Sequence, residues 1–64
     1  MTNNSKYYAI ESRIRATQAR QEAIAAASTE QRAAWIEIAK HWDGLADIYD
    51  KVATLHLALY GKAA

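Results

Sequence analysis

The chain has 64 residues, fifteen of them alanine, with no cysteine, no proline and two glycines. Eight Lys and Arg against seven Asp and Glu leave a formal charge of +1, and 52% of positions are hydrophobic. Such a chain holds one small domain at most, cannot be stapled by disulfides or a thiolate-bound metal, and carries no block of like charge that would point to nucleic acid.

A domain of about 60 residues buries only about 60% of the surface of its unfolded chain, so its stability must come from regular helix packing or from self-association. Residues 1–5 are polar and no apolar run of signal-peptide length follows Lys6. The longest uncharged stretch, residues 52–61, has ten residues against the roughly 20 of a spanning helix. The expectation is a soluble, cytoplasmic single helical domain over residues 1–64, with flexible tails at 1–5 and 61–64.

Helix 1 is expected over about residues 6–27, with Asn4 or Ser5 as its N-cap. Tyr7, Ile10, Ile14, Thr17, Gln21 and Ile24 follow one another at steps of three and four. Ala9, Ala16, Ala19, Ala23 and Ala26 form a second surface, of small residues, where another backbone can approach closely. Glu11 and Arg15 stand at the favourable i,i+4 ion-pair spacing.

The heptad phase runs unbroken from Ile24 through Ser28 and Gln31 to Trp35, and no Gly or Pro marks a turn. One continuous rod would leave the polar Thr17, Gln21, Ser28 and Gln31 along its seam. Ser28-Thr29-Glu30-Gln31 also has the form of a capping box, with Ser28 as N-cap and Gln31 at N3. A break near Ser28 and an antiparallel helical hairpin follow.

Helix 2 is expected over about residues 29–60. Trp35, Ile38, Trp42, Leu45, Tyr49, Val52, His56 and Leu59 alternate steps of three and four, the a/d pattern of a heptad. Ala39, Ala46, Ala53 and Tyr60 flank this seam on one side, and Ala34, His41, Ile48 and Leu55 on the other. Glu37, Lys40, Asp43, Asp47, Asp50 and Lys51 are expected opposite it. Asp43-Gly44 is a turn signal, yet the seam passes it in phase, so the helix is expected to continue.

At 1.5 Å per residue helix 1 spans about 33 Å and helix 2 about 48 Å. Folded back from Ser28, helix 1 reaches about Tyr49 or Asp50. Val52, Leu55, His56, Leu59 and Tyr60 then overhang, with Leu57 on the other side. Burying a Leu or Val contributes roughly 1.5–3 kcal/mol, so this end favours a homodimer or higher oligomer, most simply a four-helix bundle of two hairpins.

The stretch Arg32-Ala33-Ala34-Trp35-Ile36-Glu37-Ile38-Ala39-Lys40-His41-Trp42-Asp43-Gly44-Leu45-Ala46, preceded by Tyr7-Tyr8 and a Ser-Thr-Glu linker, resembles small uncharacterised Ala/Arg/Glu-rich two-helix proteins common in alphaproteobacteria. Their second helix has the form R-A-x-x-L-x-L-A-x-x-Y/W-x-x-L-A. The resemblance covers about residues 7–53 and departs at Gly44 and in the hydrophobic tail 55–60. It implies a hairpin and a bacterial origin, and carries no activity and no functional residues.

The candidate chemistry is thin. His41 and His56 lie about 22 Å apart along one helix and cannot share a metal within one chain. Glu37 and His41 at i,i+4 lack a third ligand and are expected as an exposed pair. Two His56 facing each other in a dimer would make a pH-sensitive contact. Asp43, Asp47 and Asp50 share a face without a pocket to separate their pKa values, and are expected as a solvated acidic face. With no nucleophile–base pair and no phosphate loop, neither an enzyme nor a cofactor is expected.

Lys6, Arg13 and Arg20 form a seven-residue basic stripe. With Arg15 against Glu11, residues 6–20 carry four positive charges and one negative, a net +3. The near-neutral balance of the whole chain argues against nucleic acid. The function expected is a non-enzymatic homo-oligomeric interaction module, an adaptor or inhibitor that binds itself and a partner protein. Its contact would be Trp35, Ile38, Trp42, Leu45, Tyr49, Val52, Leu55, His56, Leu59 and Tyr60. The alternative is an oligomer-interface binder of a small anion such as a nucleotide, held by Lys6, Arg13 and Arg20 beside the aromatics.

Overall fold

The structure, a computed structural model, describes residues 4–61. It contains two helices, α1 (Ser5–Ala25) and α2 (Thr29–Tyr60), packed against one another along their lengths. Arg13 pairs with Asp50 and Arg20 with Asp43, while the Tyr8 ring lies 5.4 Å from that of Tyr49. From Arg13 to Arg20 the partner falls from Asp50 to Asp43, and Tyr8 near the start of α1 meets Tyr49 far along α2, so the hairpin is antiparallel. Most of the tails expected at 1–5 and 61–64 lies outside the described residues. Ser5, however, already belongs to α1 and is buried.

The turn explains why no glycine is needed. Ala26 (φ −65°, ψ 140°) and Ser28 (φ −132°, ψ 160°) are extended, and no described residue has a positive φ. Helix 1 therefore stops at Ala25, two residues before the expected end at 27, when Ala26 leaves the helical region. Ser28 is the N-cap of α2: its Oγ accepts the Gln31 N–H at 3.1 Å. The Gln31 Oε1 in turn accepts the Ala27 N–H at 3.1 Å, so the capping box closes one residue earlier than its usual form. Two of the polar seam residues, Ser28 and Gln31, thus serve as the cap. At the other end Asn4 is the N-cap of α1, and its carbonyl accepts the Tyr8 N–H at 3.0 Å while its side chain makes no capping bond.

The face by which α1 meets α2 differs from the Tyr7–Ile10–Ile14–Ile24 stripe. Ser5, Ala9, Ser12, Ala16, Ala19 and Ala23 are the buried residues of α1, at steps of 4, 3, 4, 3 and 4. Across from them Ala39 and Ala46 are buried on α2. The expected second surface of small residues is the real helix–helix seam. On α2 the contact is accordingly centred on the alanine flank, with Trp35, Trp42 and Tyr49 half-buried beside it. Side chains this small let the two backbones close on each other, which a stripe of Ile and Tyr would prevent.

α2 runs through Gly44 without a break. A Cβ built there meets nothing within 4 Å. Gly44→Ala should therefore stabilise the protein by about 0.5–1 kcal/mol, since glycine is costly within a helix and the methyl is free of clashes. Thermal unfolding followed by circular dichroism checks this, with a Tm rise of several degrees expected.

Candidate interaction surface

The hairpin is a ribbon with two unlike faces. On one face the seven-residue stripe Arg13/Arg20 meets an equally spaced stripe, Asp50/Asp43, on the antiparallel helix. Arg13 donates to Asp50 and lies 3.7 Å from Asp47, and Arg20 donates to Asp43. Lys6 continues the basic stripe one heptad further on, but α2 carries no carboxylate beyond Asp50. The hydrogen bond to Asp50, reinforced by the field of the neighbouring aspartates, raises the Arg13 guanidinium above its ordinary value. A raised arginine value is a contribution lost only in strong alkali, so this pair adds no pH dependence of its own near neutrality on the arginine side.

Asp43 and Asp50 are thus half-buried beside the helix–helix seam, a correction to the solvated acidic face expected from spacing alone. A wheel centred on the large side chains placed them opposite the core. The true centre, at the alanines, brings them to its edge. Glu37 also departs from expectation, pairing with Lys40 at 3.3 Å in place of His41. Arg15 and Glu11 make the expected i,i+4 pair at 3.4 Å.

The opposite face is open, apolar along α2 and polar along α1. The Tyr8 ring meets Tyr7 edge-on and Tyr49 at a tilt, at 5.5 and 5.4 Å between ring centroids. Trp35, Trp42, Leu45 and Tyr49 are half-buried there, because Ser12 and Ala19 on α1 are too small to cover them. Trp35, Ile38 and Trp42 line an open groove with Arg15, Gln18, Ala19 and Glu22. Ile38 and Val52 extend the apolar strip along α2, at 40% and 44% exposure.

The ten expected contact residues therefore divide. Trp35, Trp42, Tyr49 and His56 lean on the hairpin seam, whereas Ile38, Leu45 and Val52 form the outward flank beside them. Leu55, Leu59 and Tyr60 lie exposed towards the end of α2. Half-burial on α2 continues beyond Tyr49 and Asp50 to Ala53 and His56. The His56 ring also contacts that of Tyr60, tilted, at 4.8 Å between centroids. Of the basic stripe, Arg13 and Arg20 are held by carboxylates of α2.

Sequence reasoning missed one exposed surface as such. Tyr7, Ile10 and Ile14 are exposed on α1, and Ile24, 82% exposed, shares a groove with Arg32 and Ile36 of α2. Among the described residues no cluster of His, Asp or Glu could hold a metal ion, and no helix is long and apolar enough to cross a membrane. No protein-family model matches the chain, and neither the curated proteins nor the solved structures compared with it show a significant similarity.

Proposed function

We propose that this chain is a non-enzymatic interaction module of the cytoplasm, an adaptor or inhibitor that works as a homo-oligomeric helical bundle. The observation that carries this reading is the inversion of the usual size order. The two helices are joined through alanine and serine, and among the described residues no large side chain is fully buried. Each alanine methyl contributes roughly 0.8 kcal/mol on burial, against about 1.5–3 kcal/mol for a Leu, Ile or Phe. The larger share of the available apolar driving force is thus left on the outside of the hairpin, where only association can use it.

The dimensions agree. The radius of gyration is 15.4 Å, against about 11 Å for a compact chain of this length. The reading of an anion site has less to stand on, because the guanidinium groups of Arg13 and Arg20 already hold Asp50 and Asp43.

Light scattering on a size-exclusion column, over a range of concentrations, tests the proposal. A dimer or larger assembly is the expected result. A folded monomer of 7.1 kDa at every concentration would overturn it.

A further inference from the structure

We infer that the apolar flank of α2 is the surface on which a second copy of this chain docks, antiparallel, with the two-fold axis passing by Leu45. This rests on the homo-oligomeric reading above and adds the face, the orientation and the register. Area is the first argument. The chain exposes 5154 Å², whereas a compact monomer of its mass exposes about 4,100 Å². The excess, roughly 1,000 Å², is close to the 800 Å² or so that each partner contributes to a stable interface.

Direction around the helix is the second argument. Leu45 precedes the buried Ala46 by one residue, a rotation of about 100° on an α-helix. Ile38 and Val52 keep the same offset from the buried Ala39 and the half-buried Ala53. The flank therefore stands close to a right angle from the contact with α1, which is the corner of a square four-helix bundle. A second hairpin placed there sets α2 beside α2 and α1 beside α1, and encloses the half-buried tryptophans between them. On the α1 side of this face Glu11, Arg15, Gln18 and Glu22 carry both signs of charge and form a polar rim.

Register is the third. Residues 38 and 52 lie equally far on either side of 45, so an antiparallel copy brings Ile38 of each chain against Val52 of the other, and Leu45 against Leu45. The same pairing sets Ala34 against His56. A two-fold interface must be self-complementary in this way, and this row is. Antiparallel packing also sets the two α2 dipoles head to tail.

The chain has no cysteine, so single-cysteine variants read the geometry directly. Leu45→Cys should form a disulfide-linked dimer on mild oxidation. Ile38→Cys and Val52→Cys should cross-link when unfolded together and refolded as a mixture, and each should fail to do so alone. Ile14→Cys, on the outer side of α1, should stay monomeric on a denaturing gel. A dimer by light scattering in which Ile14→Cys links and Leu45→Cys does not would overturn this face while leaving self-association intact. Efficient self-linking of Ile38→Cys would overturn the antiparallel register. A monomer by light scattering would overturn both this inference and the reading beneath it.

Discussion

Ala46→Leu is expected to lower the Tm by on the order of 10 °C, a loss read by circular dichroism at fixed protein concentration. Ala46 is 0% exposed in the middle of α2, as is Ala16 in the middle of α1. The seam has no flexible side chain that could move aside for three additional carbons, so the helices themselves must part. Overpacking of this kind costs about 1–3 kcal/mol where a core can still adjust. Parting the helices would also stretch the Arg13–Asp50 and Arg20–Asp43 pairs along the edge. Gly44→Ala, two residues away, changes the same helix in the opposite direction because its methyl points into open space. If Ala46→Leu leaves the Tm unchanged or raises it, the helices do not meet through their alanines.

What could be read in the sequence followed side-chain size. α2 was legible because its large apolar residues keep heptad phase over the whole helix. The turn was legible because a Ser-x-x-Gln cap is a local chemical device, readable without tertiary context. α1 was read from its isoleucines and tyrosines, which dominate any measure of hydrophobicity. The packing face was instead the one whose side chains were smallest. The clue lay in regularity: Ser5, Ala9, Ser12, Ala16, Ala19 and Ala23 keep phase along all of α1, whereas the isoleucine stripe is interrupted by Thr17 and Gln21.

A second clue lay in charge. Arg13 and Arg20 are seven apart, as are Asp43 and Asp50, and a hairpin that pairs one couple pairs the other. That match fixes both the register and the face of each helix towards its neighbour. It then turns the α2 seam by part of a turn, from the tryptophans towards the alanines. The division of the ten expected contact residues into those leaning on α1 and those facing outward depends on this rotation. The heptad alone could not supply it, since a and d positions look alike from within one helix.

Trp42→Ala is expected to dissociate the proposed oligomer and to cost several kcal/mol, more than any other single truncation on the open face. Trp42 stands one heptad from both Trp35 and Tyr49, near the middle of the aromatic row, and shares its groove with Trp35 and Ile38. Its ring is half-buried in the hairpin, so truncation first removes contact along α1 and then opens a hole where a second copy would close. Trp→Ala in a packed core costs about 3–5 kcal/mol, and hot spots of association are enriched in central tryptophans for the same reason. Trp42→Phe retains much of the apolar volume and should lose far less. The measurement is light scattering together with circular dichroism on dilution, because linked folding and assembly make stability depend on protein concentration. The alanine variant should show a lower mass and a Tm that falls more steeply on dilution than that of the parent. If the mass, the Tm and their concentration dependence all match the parent protein, the open face has no part in assembly.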